Sequence, residues 1–189
     1  VYNSLYGNTL WIFGDVASDD AVKGGNAGDQ ADINNIDDFS AVADNGCLGT
    51  YWQSAYETIA RANNVIANVP SVSMDEKVKA DYIAQAKFLR AYAYFNLVNI
   101  FGQVPLKLKP QTTSDAIHVG LSSIDKIYSQ IDEDLTDAKN ALPVTATEAG
   151  RATKGAAFAL LAKSKLFQKD WKACADYADS VEKTGVYDL

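Results

Sequence analysis

Two cysteines, one histidine and four prolines are all that this chain of 189 residues holds of those types. Cys47 and Cys174 are too few for a disulfide framework, and no C-x-x-C pair occurs. Small buried thiols are their expected state. A single histidine, His118, excludes a histidine-based metal site and leaves a catalytic triad without support; in its loop it reads as exposed. H-E-x-x-H, G-x-S-x-G and the G-x-x-x-x-G-K-[ST] phosphate loop are all missing. Also missing is any run near the ~18 apolar residues of a membrane span. The chain starts without an initiator Met, a signal peptide or a lipid-attachment cysteine, and so reads as a piece of a longer protein.

Basic residues are scarce at the start. Residues 1–50 carry eight aspartates and one cation, Lys23, so the whole formal charge of −7 lies there, and residues 51–189 balance. Nucleic acid requires a concentrated basic surface, which this chain does not offer. The acidic excess is either a solvated loop or a cluster of carboxylates for hydroxyls or cations. The D-x-[DN]-x-[DN]-G calcium loop is absent, although Asp15, Asp19, Asp20, Asp29 and Asp32 could form an irregular oxygen cage, so calcium is kept as the one conceivable cofactor. Glycoside hydrolysis needs only two carboxylates at a set separation, and nothing in the sequence pairs any two of these. The reading is non-catalytic.

What is abundant is helical period. Lys79–Leu106 carries two apolar series at spacings of three and four: Tyr82, Ala86, Leu89, Ala93, Leu97, Ile100, and Phe88, Tyr92, Phe95, Val98. One stripe suffices for a surface helix, so two suggest a helix pressed between neighbours. Ser73 and Glu76 have capping-box spacing for its start, and Gly102 and Pro105 end it. Helices are also expected over Thr50–Val69, Ile124–Leu142 with Ser122 or Ser123 as cap, Ala152–Gln168 and Trp171–Lys183, with Trp171 and Tyr177 packing back in the last pair. Val1–Gly14 suggests a short amphipathic helix with its aromatics inward. Asp15–Asn45, rich in Gly, Asn and Asp, reads as an ordered functional loop with a helical turn near Asp37–Ala43. The final pair, 152–183, fits one ~34-residue helical repeat. The fold class is all-α: stacked tetratricopeptide-like helical hairpins with long functional loops, in one domain over 1–189.

Sugar binding suits the unusual residues. Asp and Asn side chains bond neighbouring hydroxyls, and aromatic rings cover the C–H face of a sugar. Asp19–Asp29 (DDAVKGGNAGD) supplies the polar half of such a site, and Trp52, at the start of a helix, supplies either an aromatic contact or a core side chain.

The run FLRAYAYFNLVNIFGQVPL resembles the signature of the SusD/RagB family of surface glycan-binding lipoproteins of Bacteroidetes. GDVASDDAVKGG at Gly14–Gly25, YWQSAYETIARANNVIANVP at Tyr51–Pro70 and RATKGAAFALLAKSKLFQKDW at Arg151–Trp171 are similar to the family too, in its order. The resemblance implies the same stacked helical hairpins, from a protein whose C-terminal portion lies outside this chain. It implies an oligosaccharide or other nutrient ligand, a lipid anchor at the outer membrane, cell-surface exposure, and a SusC-like TonB-dependent transporter as partner. It places Asp19, Asp20, Lys23, Asn26 and Asp29 as candidate ligand contacts, with Asp15 and Ser18 holding the loop. In glycan-binding members an aromatic follows the SDD-like motif; the matching stretch Gly24–Gln30 has none. Composition and periodicity alone support a rival, a tetratricopeptide-type scaffold for a protein partner with the acidic loop merely solvated.

Overall fold

The computed structural model describes residues 1–5, 10–18, 20–26, 28–112, 114 and 118–187. The chain forms two compact units, Tyr2–Glu57 and Thr58–Leu189 with Val1.

In the first unit, a 3-10 turn at Tyr2–Leu5 and a π-helical turn at Ile12–Val16 replace the amphipathic helix expected over Val1–Gly14. Its aromatics are divided: Phe13 meets Tyr51 edge-on at 5.5 Å, while Trp11 is exposed. Ile12, Val16 and Ile36 form a small core, packed by Phe13, Ile33 and Cys47. Helix α1 spans Ala31–Asp37, earlier than the helical turn expected near Asp37–Ala43. It stops there because Asp38 and then Phe39, at φ +57°, leave the helical region.

Helix α2, Gly46–Asn68, starts four residues before the expected Thr50. The cause is Asn45, whose Oδ1 accepts from the N–H groups of Cys47 (3.0 Å) and Leu48 (3.2 Å). A 3-10 turn at Val69–Ser71, with Pro70 within it, ends the run.

The second unit is a layered stack. Helix α3 spans Glu76–Phe101, α4 Ile124–Ala141, α5 Lys154–Phe167 and α6 Trp171–Glu182. In this unit α3 packs along α4, α4 on α5, and α5 on α6. Asp75, not Ser73, caps α3, its carboxylate accepting from Lys77 and Val78 N–H. Ser123, one of the two expected residues, caps α4; Thr153 caps α5, which begins two residues after the expected Ala152, and Asp170 caps α6. Gly102, at φ +71°, ends α3 in a conformation that a side chain resists.

As its two stripes predict, α3 is buried on more than one side, with Ala86, Leu89, Ala93, Leu97, Phe95 and Val98 all inside. Each large one contributes roughly 1.5–3 kcal/mol of burial. Tyr82 is the exception on the first stripe and lies exposed. At the far end Tyr177 stacks on Phe158, but Trp171 is 63% exposed rather than packed back. Among the described residues all regular structure is helical, apart from one antiparallel bridge, Pro105 to Leu121, that closes the crossover between α3 and α4.

A buried polar cluster pins that crossover. Arg90 on α3 makes a two-pronged pair with Asp134 on α4, Nε to Oδ2 and Nη2 to Oδ1, each at 2.7 Å. Its Nη1 donates to Asn63 Oδ1 of α2 (2.8 Å) and to the Leu108 carbonyl (3.2 Å). Asn63 donates in turn to the Lys107 carbonyl at 3.0 Å. The Tyr94 hydroxyl donates to that carbonyl at 2.9 Å and accepts from the Lys107 N–H at 2.6 Å. Burial pushes the Tyr94 phenol far above its ordinary range. Burial also pushes the Asp134 carboxyl up, and the Arg90 guanidinium draws it back.

Candidate functional site

The candidate residues of the acidic loop fall into two turns and a helix. Asp19 lies outside the described residues. Asp20 belongs to the first turn: its N–H donates to Ser18 Oγ (3.3 Å), and Ser18 Oγ donates to the Asp15 carbonyl (2.9 Å). That carbonyl also accepts from the Ala21 N–H at 3.2 Å. The two bonds of Ser18 are the local side-chain-to-backbone kind that serine offers in place of helix.

Lys23, Asn26 and Asp29 share the second turn. The Lys23 backbone N–H is anchored to Asp37 Oδ2 at 2.8 Å, and Lys23 Nζ donates to the Asn26 carbonyl at 3.1 Å. The Asp29 N–H donates to the same carbonyl at 3.1 Å. Gly25 sits inside this turn at φ +90°; a Cβ there would lie 3.4 Å from Asp29 Oδ2 and 3.8 Å from Lys23 Nζ. An ammonium and a carboxylate therefore flank one bare glycine, with the exposed Asn26 beside it. Such a turn presents both donors and acceptors to a hydroxyl-bearing ligand.

Behind the turns, Asp32 ties α1 to α2. Its Oδ2 accepts from the Gly46 N–H (3.1 Å), and its carbonyl from Asn45 Nδ2 (2.8 Å). Asp32 is thus committed to holding the loop. Among the described residues no three His, Cys, Asp or Glu side chains converge as a metal site. Cys47 is half-buried; burial, and then the charge of Asp32, push its thiol up, away from the reactive thiolate. Cys174 is also half-buried. Trp52 is half-buried on α2 with its ring 4.9 Å from that of Tyr56, tilted by 44°. His118 is exposed.

A concavity elsewhere in the chain went unseen in the sequence. In the unit Thr58–Leu189, the first turns of α3 and the connection from α4 to α5 enclose a groove of about 510 Å³. Tyr82 and Val78 form one wall, and Pro143 and Ala146 the other. Asp81 and Gln85 also line it, and Gln85 Nε2 donates to Asp81 Oδ2 at 2.7 Å. At the rim Arg151 grips Glu148 Oε2 through Nε (3.0 Å) and Nη2 (2.8 Å). The two sides lie some sixty residues apart in sequence, so no local motif announces them.

Comparison with known proteins adds to this geometry. A family profile described as SusD-like, "Starch-binding associating with outer membrane", matches residues 3–166. The chain is 32% identical over 174 residues to SusD-like protein P2 of Formosa agariphila, covering 92% of this chain and 34% of that protein. It superposes on a laminarin-binding SusD-like protein with a TM-score of 0.86 and 35% identity, over 93% of this chain and 38% of the other. A chain solved with xylogluco-oligosaccharide matches with a TM-score of 0.73 and 28% identity, over 82% of this chain and 33% of its own. The sequence therefore spans little more than a third of the length of these relatives.

Proposed function

The chain belongs to the SusD-like family, described as starch-binding and outer-membrane-associated, and from this premise we propose that it is the N-terminal part of a non-catalytic protein that captures oligosaccharides at the cell surface. The observation that carries the reading is the match, over nearly the whole chain, to a laminarin-binding SusD-like protein. A β-glucan is accordingly the first ligand class to test. In this reading Lys23, Asn26 and Asp29 are polar contacts to sugar hydroxyls, joined by Asp20 and Asp19, and Trp52 supports the aromatic side. The captured glycan passes to a SusC-like TonB-dependent transporter, and the intact protein is held at the outer membrane by a lipid anchor.

No cofactor is needed for this function, because binding hydroxyls asks only for hydrogen bonds and C–H stacking. The test is calorimetric titration of the intact protein against a panel of laminarin, xyloglucan and starch oligosaccharides. Saturable binding of one class, weakened by Lys23→Ala or Asp29→Ala, supports the reading. A flat response to every glycan overturns it.

A further inference from the structure

We propose that the groove between α3 and the α4–α5 connection is a second carbohydrate subsite, built for a neutral oligosaccharide. This rests on the glycan-binding reading above and deepens it; the groove shares no residue with the turn at 20–30.

Three features of the groove select that ligand. Its volume, about 510 Å³, is in the range that small ligands occupy. Its wall offers the Tyr82 ring, 46% exposed although it continues the apolar stripe of α3. An exposed ring beside small apolar side chains suits the C–H face of a sugar. Its polar equipment suits hydroxyls. Asp81 Oδ1 is, among the described residues, the one buried side-chain oxygen or nitrogen with no hydrogen-bond partner. A carboxylate oxygen in that state is missing a donor, and leaving it unmet is costly. The other oxygen, Oδ2, is already oriented by Gln85. A ligand hydroxyl supplies the missing donor once side chains over Oδ1 shift, a change common on binding.

Charge selects against other ligands. Lys77 and Arg151 offset Asp81 and Glu148 around the groove, and Arg151 is already engaged with Glu148. An anion or a cationic peptide finds no net complement there, and a wholly apolar ligand would bury the Asp81 carboxylate against hydrocarbon. A neutral molecule with hydroxyls on one face and C–H groups on the other matches all three features.

The test is a titration of the full chain followed by ¹H–¹⁵N amide shifts, with laminarihexaose and a xylogluco-oligosaccharide as probes. The proposal expects saturable shifts in amides of 78–85 and 146–152. In Tyr82→Ala that event weakens about three- to tenfold, the value of one aromatic contact, while shifts at 20–30 persist. Tyr82 is exposed, so the variant keeps its fold. Sugar shifts confined to 20–30 overturn the groove and leave the proposed function standing. Groove shifts produced by a tetralysine peptide but by neither sugar overturn the neutral-ligand assignment. An absence of sugar shifts anywhere in the chain overturns the groove, and the titration of the intact protein then decides the proposed function separately.

Discussion

Replacing Arg90 by alanine tests what holds the second unit together. Arg90 and Asp134 have side chains only 6% and 1% exposed. Removing the guanidinium strands a carboxylate that the core cannot hydrate, and takes the donor from Asn63 Oδ1 and from the Leu108 carbonyl. Breaking one partner of a buried pair costs about 3–5 kcal/mol. At about 2–4 °C per kcal/mol for a chain of this size, Tm falls by roughly 6–20 °C. Part of the loss is relieved at low pH, where the stranded carboxyl protonates. Replacing both partners, Arg90→Met with Asp134→Leu, costs much less than the two single changes added together, because no charge is left behind. The assay is thermal and urea unfolding by circular dichroism across the double-mutant cycle. If Arg90→Ala loses under 1 kcal/mol, or the two changes simply add, the pair is not the clamp described here.

Two further perturbations address other parts of the molecule. Asn45→Ala removes the cap of α2 and the tie to the Asp32 carbonyl; it should cost about 1–2 kcal/mol and speed amide exchange in residues 46–50. Burial raises the phenols of Tyr94 and Tyr128, the latter also hydrogen-bonded to Asn99 at 3.0 Å. Each therefore favours the folded chain while protonated: that contribution is whole below about pH 10, the unfolded value, and is lost as pH climbs through the higher folded values. Absorbance at 295 nm should show these two of the ten tyrosines ionising late, together with loss of helical signal. Late ionisation unchanged in Tyr94→Phe would contradict the assignment.

Much of the stack was legible because it is written in local signals. The paired stripes of α3, the glycine at 102 and the cap at Ser123 are short-range physics, and each appears where the spacing places it. What the sequence hid is non-local or ambiguous. Asn45-Gly46 reads as a turn dipeptide, yet Asn45 opens a helix because its side chain meets two free N–H groups. Asp75 competes with Ser73 for the same cap, and only the backbone path decides. Trp171 belongs to the apolar period of α6 but stands exposed, since periodicity names a face without saying what covers it. Arg90 and Asp134, 44 positions apart, carry no motif. For the candidate site, the sequence pointed to the loop, and the structure shows how Lys23, Asn26 and Asp29 are gathered around Gly25. The groove at Tyr82 needed three-dimensional placement to be seen at all.

The central claim is that this chain is part of a glycan-capturing protein, and calorimetric titration of the intact protein with laminarin oligosaccharides tests it most directly. The account predicts saturable binding that weakens in Lys23→Ala and Asp29→Ala, with the helical spectrum unchanged. Heat indistinguishable from dilution, for laminarin and for every other glycan in the panel, would contradict it and leave the helical stack as a scaffold for a protein partner.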